Sequence, residues 1–200
     1  IMSGLVNVPV YPSLPADQVR FILEDAGVRA AFVENAEQYG KLEEVRDRLP
    51  GLERAFAFEP VEEGAIPVQS LDTLPAAGRE AGMEASNEEE ARRAEPDDLV
   101  TLIYTSGTTG DPKGVMLSHD NFASNVKASC QVLPIGPDDV ALSWLPLSHV
   151  FERMAGHYLM WSQGVTVAYY GGSTDTLLRD MGEVQPTIMN AVPRLYEKVV

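Results

Sequence analysis

Ten consecutive residues, Thr105-Ser106-Gly107-Thr108-Thr109-Gly110-Asp111-Pro112-Lys113-Gly114, hold three glycines, three threonines, one serine and one lysine. That mixture suits an anion. Glycines let the main chain approach a ligand closely. Consecutive backbone N–H groups form a concave anion site. The hydroxyls add donors, and the Lys113 ammonium adds a mobile point charge for phosphate oxygens. Pro112 stiffens the exit of the loop. The pattern is not a Walker A loop, which requires G-x-x-x-x-G-K-[ST] between a strand and a helix. Here Pro112 stands five residues after Gly107, and Gly114 after the lysine has no hydroxyl.

A second stretch, Leu145-Pro146-Leu147-Ser148-His149-Val150-Phe151-Glu152-Arg153, puts His149 where a strand gives way to a helix. In open α/β sheets, ligands bind at the carboxyl ends of the strands. Glu152 and Arg153 read as a local ion pair. His119 reads as a hydrogen-bonding residue beside a helix cap, and Cys130 as helix packing.

The elements that must position these groups follow from periodicity. Leu99–Tyr104 is β-branched and aromatic, a strand leading into the glycine-rich loop, and Val115-Met116-Leu117 continues beyond it. Upstream, strands are expected at 5–10, 28–33 and 55–58, with helices over 15–26 and 41–49. Downstream, a helix capped by Ser118 runs to about Leu133 with Phe122, Val126, Cys130 and Leu133 as its buried stripe. Strands at 140–145, 165–170 and 187–191 then alternate with helices over 148–163 and 175–184, and Pro193 starts another. The 148–163 helix is apolar nearly all round, which predicts burial. The fold class is therefore α/β, with parallel sheets flanked by helices in two β-α-β-α-β units. Between the units, 59–98 is poor in apolar residues; from Glu80 to Asp98 eight acids face two arginines, which reads as a solvated connection with a short helix near 88–93.

The 200 residues carry 30 acidic and 15 basic side chains, a net charge of −15, which argues against a nucleic-acid surface. With 44% hydrophobic residues the chain can build a core. Its single cysteine, Cys130, excludes an internal disulfide and fits a reducing, cytoplasmic compartment. An anion site in so acidic a chain must be positive locally, and Lys113 with the oriented N–H groups is the available source.

The stretch YTSGTTGDPKGVMLSH resembles the phosphate loop of the adenylate-forming (AMP-binding) superfamily. LPLSHVFER, QPT and VPRLYEK look like its fatty acyl-CoA synthetase branch. The resemblance implies part of that family's large N-terminal domain, divided here into 1–58, a connecting segment 59–98, and 99–200. It implies activation of a fatty acid by ATP with magnesium, through acyl-AMP to acyl-CoA, releasing AMP and pyrophosphate. ATP, the fatty acid and coenzyme A would be the small-molecule partners. Thr105, Ser106, Gly107, Thr108, Thr109, Gly110 and Lys113 would bind the nucleotide phosphates, with Thr105 near magnesium. Lys113 and His149 would take part in catalysis, His149 beside the acyl-adenylate. Other acids, a carrier-protein acceptor or a noncatalytic nucleotide-binding relative are the alternatives. Fatty acyl substrates suit a peripheral membrane contact, although no basic amphipathic helix supports one.

Tyr170-Gly171-Gly172-Ser173-Thr174-Asp175 resembles the family's metal-holding Y-G-x-T-E block. It has an extra residue, ends in Asp and precedes VPRLYEK, so it reads instead as a strand end, turn and helix cap. The chain reads as an internal piece lacking the family's metal-binding Glu and C-terminal lysine. The 200 residues alone are thus expected to be inactive, and acyl-adenylate detected by mass spectrometry with this piece, ATP and a fatty acid would contradict that.

Overall fold

The computed structural model describes residues 4–82, 86–105, 111–172, 176–193 and 195. Its contacts divide into two compact units, Ile1–Leu117 and Ser118–Val200.

In the first unit, Val19, Ile22 and Leu23 form the buried stripe of helix α1 (Ala16–Asp25). Burial of each such side chain contributes roughly 1.5–3 kcal/mol. The chain leaves α1 through Gly27, whose φ of 62° is the left-handed conformation that ends helices. Strand β1 (Ala30–Val33), helix α2 (Ala36–Glu44) and strand β2 (Arg54–Ala57) follow, and β1 pairs parallel with β2. Helix α2 starts earlier than its apolar spacing predicts. Asn35 caps it by accepting the Gln38 N–H at 3.2 Å, and the turn Arg46–Arg48 that follows is 3₁₀ rather than α.

The acidic connection contributes more structure than its composition suggests. Val68–Ser70 forms β3, parallel to β2, in the sheet order β1-β2-β3. Ile66 is fully buried in the core beside Tyr39 and Leu42. Helices α3 (Leu74–Glu80) and α4 (Ser86–Arg93) follow. A strand of three residues is too short to show a period, so β3 was invisible in the sequence.

The turn before β3 is held by side chains of α2. The Glu43 carboxylate accepts the N–H groups of Ala65 (2.9 Å) and Ile66 (2.7 Å), and the Tyr39 hydroxyl donates to the Ile66 carbonyl at 2.6 Å. A side chain at position 64 would put its Cβ 2.5 Å from that carboxyl group and displace it from this anchor.

The expected strand at 5–10 is reduced to a single parallel bridge from Asn7 to Thr101, and it joins not β1 but β4 (Leu99–Thr105). Strand β4 pairs with β5 (Lys113–Ser118).

In the second unit, Ser118 and Asn121 make a reciprocal capping box at the start of α5 (His119–Cys130). Phe122, Val126 and Cys130 are half-buried, as a stripe requires, but Leu133 lies past the helix end and is 46% exposed. Strand β6 (Val140–Ser143) pairs parallel with β7 (Thr166–Tyr169). On the other side of β6, Ile188 bridges Ala141 in parallel, which is what forms of the strand expected at 187–191. The helix between β6 and β7 is π-helical over Glu152–Tyr158 and becomes α6 (Leu159–Ser162). It is not buried all round. Leu159 and Met160 are within the core, while Val150, Phe151 and Trp161 are 40%, 44% and 58% exposed. Helix α7 (Leu177–Val184) closes the unit and buries Leu177 against Leu142.

The Glu43 anchor predicts a pH-dependent stability. Burial pushes its carboxyl pKa up, but the Ala65 and Ile66 N–H groups and the Tyr39 hydroxyl outweigh this and hold it below its ordinary 4.5. A lowered pKa contributes stability above the unfolded value that is lost as pH falls through the folded one. Glu43→Gln is therefore expected to lower stability by about 1–3 kcal/mol near neutral pH, and by less below pH 4.5, as urea unfolding on both sides of that value would show.

Candidate functional site

Strand β4 delivers the chain to the glycine-rich loop. Val100, Thr101 and Ile103 are buried and Thr105 is exposed at its end. Thr101 is the least accessible of these, and its hydroxyl donates to the Asn7 carbonyl at 2.7 Å. The backbone of Asn7 pairs on either side, Asn7 N–H to the Val100 carbonyl (2.9 Å) and Leu102 N–H to the Asn7 carbonyl (3.0 Å). Residues Ser106, Gly107, Thr108, Thr109 and Gly110 lie outside the described residues. The loop returns at Asp111 and Pro112, and Lys113 opens β5 with its side chain exposed.

Tyr104 braces both ends of the loop. Its hydroxyl donates to Asp25 Oδ2, on the last residue of α1, at 2.5 Å. Its ring lies against Gly114, where a Cβ would come within 3.0 Å of Cζ. Burial first, then the Asp25 carboxylate, raises the phenol pKa, so the group remains a donor at neutral pH. The residue before Thr105 thereby fixes the residue after Lys113. Thr105 and Lys113, both exposed, flank the glycine-rich sequence 106–110.

The second constellation lies in the other unit. His149 N–H donates to the Pro146 carbonyl at 2.9 Å, closing a turn after β6. The imidazole is exposed, and its Nδ1 accepts the Phe151 N–H at 3.1 Å, which places the proton of the neutral ring on Nε2. His119 is the first residue of α5, half-buried beside the Ser118 cap.

Sequence reasoning missed Glu152. Rather than lying beside Arg153 on the surface, it is 1% exposed. Ser143 Oγ donates to its Oε1 at 2.7 Å and Asn190 Nδ2 to its Oε2 at 3.3 Å. Arg153 Nε instead donates to the Leu147 carbonyl at 3.2 Å. Burial pushes the Glu152 pKa up, against the opposing pull of its two hydrogen bonds. The carboxyl occupies the space a side chain at Gly156 would need. The signal was in the sequence: Gly156 sits four residues, one helical turn, after the acid.

His157, on the same helix, lies against Trp161 with ring centroids 3.8 Å apart and planes tilted by 42°, and its Nδ1 lies 3.0 Å from the Tyr169 hydroxyl. Burial, with the Arg153 charge second, lowers its pKa.

Among the described residues no cluster of His, Cys, Asp or Glu forms a metal site, and no helix is long and apolar enough to cross a membrane. At Tyr170–Asp175, β7 ends and Gly172 takes φ 90°. Asp180 gathers the turn through the Gly171 N–H (2.9 Å) and the Thr176 hydroxyl (3.2 Å). Residues 173–175 lie outside the described residues, as do 194 and 196–198 of the VPRLYEK stretch.

A profile described as AMP-binding enzyme matches residues 1–200. Long chain acyl-CoA synthetase 6, peroxisomal, of Arabidopsis thaliana is 37% identical over 203 residues, covering 97% of this chain and 28% of that protein. Long-chain-fatty-acid–CoA ligase 1 of Homo sapiens is 33% identical over 210 residues, covering 98% and 29%. The chain thus spans under a third of the length of these relatives. The anthranilate CoA ligase AuaEII, solved with anthranoyl-AMP, superposes with a TM-score of 0.71 over 92% of this chain and 34% of that chain, at 20% identity. The N-terminal domain of FACL13 from Mycobacterium tuberculosis gives 0.68 over 94% and 44%, at 23% identity.

The Tyr104 brace is testable by thermal unfolding. Tyr104→Phe keeps the ring on Gly114 and loses the Asp25 bond, an expected loss of about 0.5–1 kcal/mol. Gly114→Ala should destabilise the wild type, and in a Tyr104→Ala background that cost should largely vanish, because the clash is with the ring.

Proposed function

The chain belongs to the AMP-binding enzyme family, and on that premise we propose that the protein it comes from activates a long-chain fatty acid with ATP. In this reading a carboxylate oxygen of the acid attacks the α-phosphorus of ATP. The new O–P bond makes acyl-AMP, and the α–β bridging oxygen leaves with pyrophosphate. The thiol of coenzyme A then attacks the acyl carbonyl and AMP departs.

The observation that carries the reading is Tyr104, which hydrogen-bonds Asp25 and lies against Gly114, so that exposed Thr105 and Lys113 stand on either side of the motif 106–110. The work of that motif is positioning and electrostatic stabilisation of the departing pyrophosphate. Lys113 is exposed, and in this reading it binds the β- and γ-phosphate oxygens together with Ser106, Gly107, Thr108, Thr109 and Gly110. The Thr105 hydroxyl, exposed at the end of β4, is a hard oxygen of the kind magnesium accepts beside phosphates and waters. Magnesium, when bound, neutralises phosphate charge; Thr105 helps orient it. His149 lies beside the acyl-adenylate, its ring oriented by the Phe151 N–H. The long-chain substrate class follows the printed names of the relatives. Such acids partition into bilayers, so the reading includes a cytoplasmic protein with a peripheral membrane contact.

The test is product analysis on the full-length protein with ATP, magnesium, coenzyme A and acids from acetate to oleate. AMP and pyrophosphate formed with the longer acids are expected. Lys113→Ala should lower adenylation by about 10²–10³-fold while leaving thermal stability unchanged. Release of ADP and phosphate would overturn the reading. Turnover confined to short or aromatic acids would overturn the substrate class.

A further inference from the structure

Glu152 is the largest departure of this fold from ordinary burial. A carboxyl group sits 1% exposed in the first turn of a helix. Placing it there is unfavourable unless its oxygens are satisfied. Both are, by groups on two other segments. Ser143 Oγ at the end of β6 holds Oε1, and Asn190 Nδ2, just beyond the Ile188 bridge, holds Oε2. Two further features make room for it. Position 156 is glycine, where any Cβ would fall within 2.3 Å of Oε1. The helix is also π-helical from Glu152 to Tyr158, a form that recurs at functional sites.

The residues on either side of Glu152 hold the histidine turn. Phe151 N–H donates to His149 Nδ1 at 3.1 Å. Arg153 N–H donates to the His149 carbonyl at 3.2 Å, and Arg153 Nε to the Leu147 carbonyl at 3.2 Å. Any shift of Glu152 along or across the helix therefore moves His149 by both its ring and its backbone.

We infer that Glu152 is a positioning residue: its buried carboxyl, tied to Ser143 and Asn190, sets where the turn 147–149 presents the His149 ring at the carboxyl end of β6. The inference rests on the function proposed above, because it assigns His149 to the acyl side. Burial favours the uncharged acid, and Tyr169 is the titratable group that feels its charge. As a positioning group it acts through its shape and its two hydrogen bonds. Glutamine can supply them if the Asn190 amide turns over to accept.

The test uses the full-length protein. E152A is expected to lower kcat/KM for the long-chain acid at least about tenfold, with the KM for ATP within about twofold of wild type. E152Q should restore kcat/KM to within about threefold. S143A, which leaves the acid in place, should fall between them and keeps the test open if E152A does not fold. An S143A or folded E152A protein with unchanged kcat/KM for the acid would overturn the inference. So would an E152Q protein as impaired as E152A, which would make the ionised carboxylate the working group. A second measurement needs no turnover. The NMR signals of the His149 ring should move in E152A and S143A and not in E152Q, and signals unmoved in all three would overturn the positioning role. If the wild type activates no acid, the proposed function fails by itself, and the His149 signals still decide the inference.

Discussion

One aromatic ring holds the strand that enters the glycine-rich motif against the strand that leaves it. Tyr104 stands between Thr105 and the core of β4, hydrogen-bonds α1 through Asp25, and lies across Gly114 one residue beyond Lys113. Glycine at 114 is needed for the close approach of that ring; its φ is not among the positive values in the chain. Strand β4 is itself held where the chain passes through Asn7, whose carbonyl takes both the Leu102 N–H and the buried Thr101 hydroxyl. A buried hydroxyl without that partner would be costly, so this contact also specifies the pairing of the strand.

The same logic governs the second unit. A buried carboxyl is weak evidence for stability, because its desolvation offsets what its hydrogen bonds contribute. Apolar residues of similar size would pack at less cost. What such a group provides is register: the observed placement of β6, the π-helix and the 187–191 segment satisfies both of its oxygens. The Glu43 carboxylate does comparable work in the first unit, at a partly solvated turn where its charge is retained.

Much of the fold was legible because it is written in short periods. The stripes of α1 and α5, the β-branched and aromatic run of β4 and the Ser118 cap are each carried by neighbouring residues. The losses have physical causes. Strand β3 was too short to show a period. The Asn35 cap was overlooked because Gly40 breaks the apolar spacing behind it. The 148–163 helix was read as buried from composition, and composition does not say that only the Leu159 and Met160 side meets the core.

By itself the sequence determined the family and the α/β class, since a motif and a hydrophobic period depend only on residues adjacent in the chain. Tertiary structure alone decided which groups share a hydrogen bond. Ser143 and Asn190 meet Glu152 from 9 and 38 residues away, and Asp25 meets Tyr104 from 79. No local pattern encodes such meetings. They follow from strands laid side by side, and from the requirement that each buried polar atom find a partner once water is gone.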